Sequence, residues 1–327
     1  MSMFIAILVI ALFFDFLNGF HDSSNIVATV IFSRALHPRV ALVLAAIAEF
    51  TGPFLFGVAV ARTIGNELLT DQALNELVVL SALIAAVLWN LITWYLGLPS
   101  SSSHALLGGL LGAAILYTQT FSVVKIDGLI KIVLALLLSP VAGLVMGFIV
   151  MRITLWTVRK ATPRVSTVFR RLQVLTLVGL ALSHGTNDAQ KTMGVLTLAL
   201  FLTGQIAVFH VPIWVIALSA GAIALGTAFG GWRLIRTLGG KIYRIRPIHG
   251  FTSQIAGASV ILGSALFGGP VSTTQVLSSA IVGAGAAERV NKVRWTILRD
   301  MALAWTLTIP STAIASILIF LLLRTVL

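Results

Sequence analysis

The sequence predicts an all-α integral membrane protein, built from two tandem repeats of inverted topology with broken helices and two re-entrant hairpins. Three observations lead to this fold class. Hydrophobic residues make up 58% of the 327 residues and charged residues only 10%, apolar runs of about 20 residues recur, and two polar motifs each occur twice. Soluble domains carry about 25% charged residues, so an ordinary soluble domain is excluded.

Cysteine content and charge exclude further function classes. The chain has no cysteine, which rules out disulfide scaffolds, thiolate metal sites and cysteine nucleophiles. Its net charge of +12 comes mostly from residues in short connections, and no basic face is evident, so nucleic acid is not an expected partner. The run from Met1 to Leu17 lacks a basic n-region and a small-residue cleavage site, and we interpret it as the first span.

Eight apolar runs are long enough to cross a bilayer as helices. They lie near residues 3–32, 40–61, 77–98, 128–151, 174–201, 212–231, 250–268 and 300–323. Two shorter apolar stretches, near 104–118 and 275–287, follow polar tips that contain proline. These stretches are either thin spans or the return arms of re-entrant hairpins, whose depth the sequence leaves open.

The basic residues predict the orientation, because Lys and Arg concentrate in cytoplasmic connections. Four basic blocks lie at 34–39, 152–171, 233–246 and 289–299. The connection at 62–76 instead sets Arg62 against three acidic residues. The resulting threading crosses a plasma or inner membrane many times and leaves both termini outside, although it also places Lys125 outside.

Two motifs recur in the same order. Gly19–Asn25 matches Gly185–Lys191 at an offset of 185 − 19 = 166, and Pro99–His104 matches Pro270–Gln275 at an offset of 270 − 99 = 171. Nearly equal offsets indicate a tandem duplication. We therefore predict repeat 1 over residues 1–151, a basic cytoplasmic linker over 152–171 and repeat 2 over 172–327.

The predicted threading gives the two repeats opposite directions. The run with the first motif crosses from outside to inside, and its counterpart near 174–201 crosses from inside to outside. Inverted repeats with interrupted helices are typical of secondary transporters, whose sites lie near the bilayer midplane. An anion channel needs a continuous polar path and is a weaker alternative. No convincing nucleophile or metal cluster supports an enzyme acting on lipid phosphates.

Asp22 and Asp188 occupy equivalent positions within apolar spans, where an ionised carboxylate costs several kcal/mol unless it has partners. Each follows a glycine by three residues and has polar neighbours. We expect this composition to break the helix and to form an oxygen-rich pocket for a hard cation or a proton. The alternative is a polar pair that holds helices together, and the recurrence in both halves favours the functional interpretation.

The second motif pair supplies groups that suit an oxyanion. Ser100–His104 and Ser272–Gln275 offer hydroxyls and free backbone N–H groups at predicted helix starts. A helix N-terminus attracts anions through its dipole. The alternative is that these hydroxyls only cap helices after a proline turn.

The four motifs together resemble those of the inorganic phosphate transporter family, which carries paired Gly-x-Asn-Asp-x-x-Asn and paired Pro-Val/Ser-Ser-Ser/Thr-Ser/Thr-His motifs. The resemblance covers nearly the whole chain and implies a secondary transporter that imports inorganic phosphate with a cation. The cation or proton ligands that it implies are Asp22, Asn25, Asn187 and Asp188. The phosphate donors that it implies are Ser101, Ser102, Ser103, Ser272, Thr273 and Thr274. With sodium as the coupling ion, the metal ligands are Asp22, Asn25 and Asp188.

The chain departs from the family pattern at His21 and Lys191, where the family has Asn, and at Gln275, where it has His. The Lys191 ammonium either replaces a bound cation, pairs with Asp188 or binds phosphate. The alternative is that it reaches an aqueous vestibule and attracts anions there. Because His21 and His184 titrate near neutral pH, proton coupling is favoured over sodium coupling.

Two further carboxylates lie within spans. We interpret Glu49 as a proton or gating site, with a protonated or backbone-bonded structural residue as an equal alternative. Asp15 is expected to line the entry path. The closest rival function is a sulfate symporter of the same fold. No cofactor is expected besides the coupling ion, H+ or Na+. The sequence leaves open whether phosphate travels free or as a metal complex, and whether the protein forms a homodimer.

Overall fold

The computed structural model describes residues 2–98, 100–232, 235, 245–293 and 295–326. Within these ranges the regular structure is helical, apart from one isolated antiparallel bridge between Leu69 and Val124. The helices are α1 Ser2–Phe32, α2 Pro38–Phe56, α3 Ala59–Asn66, α4 Glu76–Leu96, α5 Ser102–Thr118, α6 Ile126–Thr157, α7 Val165–Leu202, α8 Ile213–Phe229, α9 Pro247–Leu266, α10 Thr273–Glu288 and α11 Trp295–Val326. The residues of the predicted motifs and basic blocks that lie outside the described residues are Pro99, Arg233, Arg236, Lys241, Arg244 and Arg294.

Six of the described helices are long and apolar enough to cross a membrane: α1, α2, α4, α6, α7 and the part of α11 from Met301 to Val326. They correspond to six of the eight predicted long spans. The predicted span at 212–231 forms the shorter apolar helix α8, which has 17 residues. The predicted span at 250–268 forms α9, which is not among the six.

Large apolar side chains cover much of the outer surface, while the interior holds both an apolar core and buried polar groups. Leu175 is 70% exposed, Ile213 72% and Leu318 62%, whereas Asp188 and Lys191 are fully buried. Soluble domains rarely expose large apolar patches, and they bury charged residues fully almost only when these are paired. This distribution is expected when lipid tails surround the protein and functional polar groups face the bundle interior.

The prediction that the helices break at the first motif pair is wrong. Helix α1 continues through Gly19–Asn25 and α7 continues through Gly185–Lys191. The glycines serve close packing instead, because a Cβ on Gly19 would lie 2.0 Å from the Ile223 carbonyl oxygen of α8, and one on Gly185 would lie 2.2 Å from the Glu49 carbonyl oxygen of α2.

A break does occur within the predicted span at 40–61. Helix α2 ends at Phe56, Gly57 has a φ of 82°, and α3 begins at Ala59. The side chain of Gln190, on α7, satisfies the broken backbone: its oxygen accepts from the N–H groups of Val60 at 2.7 Å and Ala61 at 3.2 Å, and its nitrogen donates to the Gly57 carbonyl at 2.6 Å. These bonds replace those that a continuous helix would make.

Corresponding helices of the two halves pack in matching pairs. Helix α1 packs on α8 while α2 packs on α7, and α6 packs on α10 while α11 packs on α5. The segments α4–α5 and α9–α10 each form a helical hairpin whose arms contact one another. The tips of these hairpins, Leu98–Ser101 and Phe267–Ser272, connect to the buried N-termini of α5 and α10.

Candidate functional site

Helices α1 and α7 bring the two motif aspartates to one place. Along their contact Asp15 bonds Thr192, Asn18 bonds Asp188, and Asp22 approaches His184. Residue numbers rise on α1 as they fall on α7, so the two helices cross antiparallel. The Thr273 hydroxyl lies 3.4 Å from Asp22 Oδ2 and 3.1 Å from Asp188 Oδ2, and one hairpin tip therefore reaches both carboxylates.

Asp22 lies among neutral donors. Asn25 Nδ2 donates to Asp22 Oδ1 at 2.8 Å and also contacts Thr274 Oγ1 at 3.0 Å. The Thr274 hydroxyl donates to the same carboxylate oxygen at 2.7 Å, and His21 Nδ1 lies 3.2 Å from it. Asp22 is 1% exposed, so these groups replace the water that would otherwise solvate its charge.

Asp188 has a charged partner. The Lys191 ammonium donates to Asp188 Oδ1 at 2.8 Å, and Asn18 Nδ2 donates to Asp188 Oδ2 at 3.0 Å. Asn187, with its amide nitrogen turned toward two acceptors, donates to Asp188 Oδ1 at 3.2 Å and to the Val271 carbonyl at 3.3 Å. Lys191 is fully buried, which contradicts the alternative that its ammonium reaches an aqueous vestibule.

His184 joins the pair of aspartates to Glu49. Its Nε2 lies 3.7 Å from Asp22 Oδ2 and 3.6 Å from Asp188 Oδ2, and its Nδ1 lies 2.6 Å from Glu49 Oε1. From the sequence, His184 is expected only as a titratable group that favours proton coupling, and its contacts with Glu49 and both aspartates are a finding of the structure. The repeat contained a signal, because His184 precedes Asp188 by four residues as Asn18 precedes Asp22.

The cluster has the ligand types that a small cation requires. One ligand atom each from Asp22, His184 and Asp188 lies within 4.8 Å of the others. The side-chain oxygens of Asn18 and Asn25 are buried and have no hydrogen-bond partner among the described residues, so they remain available as ligands. The His184 imidazole and the Lys191 ammonium share this space with the carboxylates.

The two hairpin tips make different contacts. Ser101 and Ser272 are N-caps of α5 and α10, accepting from the His104 and Gln275 amides, so capping describes these two hydroxyls. The Ser101 hydroxyl also bonds His104 Nδ1 at 2.7 Å, and Ser103 donates to the Val271 carbonyl at 2.9 Å. Ser102 is buried at the first position of α5.

The tips thus touch each other through Ser103 and Val271. Among the hydrogen bonds of the described residues, only the α9–α10 tip reaches the aspartates, through Thr273 and Thr274. The sequence-predicted site residues therefore divide into two groups. Those gathered at the carboxylates are Asp22, Asn25, His21, Asn187, Asp188, Lys191, Thr273, Thr274 and, through His184, Glu49. Those at a tip but without a bond to a carboxylate are Ser101, Ser102, Ser103 and Ser272.

A separate cavity of about 420 Å³ lies beside the α9–α10 tip. Its wall includes Arg62, Lys131, His210 and Gly268. The Lys131 ammonium bonds Glu67 Oε2 at 2.9 Å and the Thr63 hydroxyl at 3.0 Å. With Arg62, Lys131 and Glu67 in its wall, this vestibule has one more basic residue than acidic residues.

Known proteins match this chain closely. The model of the "Phosphate transporter family" matches residues 18–316. A "probable low-affinity inorganic phosphate transporter" of Rhizobium meliloti (strain 1021) is 42% identical over 318 residues, which cover 97% of this chain and 95% of that protein. A protein of the same name from Bacillus subtilis (strain 168) is 44% identical over 313 residues, covering 94% and 93%.

A solved structure, "The sodium-dependent phosphate transporter", superposes with a TM-score of 0.89 over 100% of both chains, and its 24% identity makes the likeness one of fold. The relatives are named as transporters, which is a non-enzymatic function. With six helices able to cross a bilayer, the protein is a multi-pass membrane protein. The extent of the family match and the identity to these relatives place the chain in the phosphate transporter family.

Proposed function

We propose that the protein imports inorganic phosphate by cation-coupled symport, a secondary active transport with alternating access at a midplane site. The observation that carries this proposal is the Thr273 hydroxyl, which lies within hydrogen-bond distance of both Asp22 and Asp188. A tip built to donate to an oxyanion therefore shares one pocket with the carboxylates that would hold the cation. The matching relatives are named as inorganic phosphate transporters, which supports the substrate.

Coupling follows from electrostatics within this pocket. Phosphate would bind the hydroxyls and free amides at the N-termini of α5 and α10, where the helix dipoles favour anions. The Asp22 carboxylate, which lacks the lysine partner of Asp188, would repel an anion beside it strongly in a low-dielectric interior. A cation or proton bound at Asp22 removes that repulsion, so anion and cation bind and cross together.

A proton is the favoured coupling ion. At Asp188 the Lys191 ammonium already supplies the positive charge that a second sodium ion would bring. Near Asp22 the neighbours that can accept and release a proton are the imidazoles of His21 and His184. Sodium at Asp22, Asn25 and Asp188 stays the alternative.

Inverted repeats and re-entrant hairpins are part of this proposal. The antiparallel crossing of α1 and α7, which carry equivalent motifs, supports halves of opposite direction. Equivalent helices pack in matching pairs, which supports a boundary within the proposed linker 152–171, between repeat 1 (1–151) and repeat 2 (172–327). We propose a plasma or inner membrane location with both termini outside, and a homodimer and a metal-phosphate substrate remain alternatives.

Radiolabelled phosphate uptake into proteoliposomes, with pH and sodium gradients imposed separately, tests the function. Concentrative uptake that follows the pH gradient is expected, and Asp188→Asn should abolish it. Asp127→Asn, at an exposed position, is the matched control and should behave as wild type. Concentrative uptake by Asp188→Asn would contradict the coupling role.

Competition decides between phosphate and sulfate in the same assay. Sulfate carries no proton to donate at neutral pH, whereas phosphate can donate one to Asp22 or Asp188. We therefore expect excess sulfate to leave phosphate uptake nearly unchanged. Equal competition by the two anions would favour a sulfate carrier, and uptake that never exceeds equilibrium would favour a channel.

A further inference from the structure

A third buried carboxyl lies on α1, one to two turns from the Asp22–Asp188 pocket. Asp15 is fully buried, and its Oδ1 accepts a hydrogen bond of 2.6 Å from the Thr192 hydroxyl of α7. The Ser219 hydroxyl of α8 also faces this carboxyl. Among the described residues, neither Asp15 Oδ2 nor Ser219 Oγ has a hydrogen-bond partner.

An ionised Asp15 would be poorly compensated. A buried charge costs several kcal/mol unless it is paired and hydrogen-bonded, and the hydroxyls beside Asp15, those of Thr192 and Ser219, are both neutral. The charged groups that act on Asp15 are Asp188 and Lys191. These two form an ion pair with each other at 2.8 Å, so their fields at Asp15 largely cancel.

The other helices packed on α1 bring little further charge to Asp15. Helix α8 has no ionisable residue in its sequence, and α4 has only Glu76 and Tyr95, near its two ends. Glu49 of α2 faces His184. The remaining groups are exposed or paired with each other: Arg39 on α2, Arg170 and Arg171 on α7, and the His249–Glu288 pair of α9 and α10.

The Ser219 hydroxyl can donate to an ionised Asp15, which pairs both atoms but leaves a buried charge. A proton on Oδ2, donated to the Ser219 oxygen, pairs both atoms and removes that charge as well. A hard metal cation fits less well, because such ions take about six or more oxygen ligands. The described neighbours of Asp15 contribute two hydroxyls, and that of Thr192 already donates to it.

We propose that Asp15 is a second proton-carrying site, separate from the Asp22–Asp188 pocket, and that its proton crosses with each phosphate. The proposal rests on the symport function above. The O–H bond of Asp15 forms with a proton from water on the loading side. It breaks on the release side, where the proton returns to water and leaves the carboxylate. One positive charge is thus carried per cycle.

The position of Asp15 links this proton to the phosphate site. Asp15 precedes Asp22 by seven residues, about 10 Å along the helix, and its partner Thr192 follows Asp188 by four residues. Movement of α1 against α7 changes the Asp15–Thr192 contact together with the contact between Asp22 and His184. Release of the Asp15 proton is thereby tied to the same motion that opens the phosphate pocket.

The test is the number of protons moved per phosphate, measured with a trapped pH dye and radiolabelled phosphate in proteoliposomes. Asp15→Asn keeps the size of the side chain but carries no proton, so the ratio should fall by about one. Asp127→Asn should keep the wild-type ratio. An unchanged ratio in Asp15→Asn overturns the proposal.

Phosphate–phosphate exchange at equal pH separates this failure from failure of the transport function. Exchange by wild type and Asp15→Asn supports an intact phosphate site in both, whereas no exchange by wild type contradicts the proposed function itself. If Asp15→Asn does not fold, infrared spectra of the wild type and Asp15→Glu replace the flux ratio. A protonated-carboxyl band that shifts in Asp15→Glu supports the proposal, and the absence of such a shift overturns it.

Discussion

Asp22 and Asp188 occupy equivalent positions in the two halves, yet their pockets carry different charge. Three residues after each aspartate, the first half has Asn25 and the second has Lys191, and both side chains turn back to their own aspartate at 2.8 Å. The geometry is repeated while the charge is not. The second half therefore neutralises its own carboxylate, whereas in the proposed function the coupling ion or proton neutralises that of the first half.

The hairpin tips differ in a related way. Thr273 and Thr274 of the second half bond the aspartates, whereas Ser101 and Ser103 of the first half bond His104 and the Val271 carbonyl. The α9–α10 tip thus bonds the two aspartates. The α4–α5 tip instead bonds His104, at the start of its own helix α5, and the opposing tip. The two tips thus differ in their contacts, and the predictions below test that difference.

Removal of the Lys191 ammonium should have the largest effect. Lys191→Met leaves Asp188 buried without its counter-charge, and breaking a buried pair in this way costs about 3–5 kcal/mol. Thermal unfolding of the detergent-solubilised protein measures the loss. Asn25→Met, at the equivalent position, should lose less because its partner bond has a neutral donor.

The double variant Lys191→Met with Asp188→Asn completes this comparison. It removes both charges, so most of the lost stability should return. Equal destabilisation by Lys191→Met and Asn25→Met, or no recovery in the double variant, would show that the two pockets do not differ in charge compensation.

The α2–α3 break, bonded by Gln190, and the chain just after α8, bonded by Ser23, provide a second contrast. Gln190→Leu leaves the Val60 and Ala61 amides and the Gly57 carbonyl without their partner, with an expected loss of about 2 kcal/mol. Ser23, on α1, accepts from only one amide, that of Gly231 at 2.8 Å. Ser23→Ala should therefore lower the unfolding temperature less, and the reverse order would refute this account of the α2–α3 break.

The hairpin tips should differ in their effect on phosphate affinity. Replacing both Ser102 and Thr273 by Ala should raise the apparent KM for phosphate. Thr273→Ala alone should account for most of the rise, about tenfold, because one hydroxyl lost from a charged pocket is worth about 1.5 kcal/mol. Unchanged KM in the double variant would remove both tips from the site.

The response of Lys191→Asn to sodium should be the smallest and most specific effect. This substitution makes the second pocket resemble the first and restores the family residue at this position, so sodium can take the place of the ammonium. Sodium should raise the unfolding temperature of Lys191→Asn and increase its uptake by a few-fold, with little effect on wild type. If sodium makes no difference in either protein, this role of Lys191 is wrong.

The sequence predicted the parts of the site that the repeat encodes. The motif pair identified Asp22 and Asp188 before any contact was known, and the apolar runs predicted six of the long helices. The break was predicted at the wrong place, because a glycine in a sequence can indicate either a helix break or close packing. Gly19 and Gly185 allow neighbouring helices to approach.

What sequence reasoning missed depends on contacts between distant segments. The α2–α3 break is stabilised by Gln190, 133 residues from Gly57 along the chain. His184 connects Glu49 to both aspartates only once α2, α1 and α7 are packed together. The choice among the roles of Lys191 required its burial, which a single sequence does not contain.

The most direct test of the shared pocket is the position of a bound tetrahedral anion. A crystal structure with arsenate, located by the anomalous scattering of arsenic, gives that position without ambiguity. The account predicts a peak within hydrogen-bond distance of the Thr273 and Ser102 hydroxyls, beside Asp22 and Asp188. A peak found only in the vestibule at Arg62 and Lys131 would contradict it.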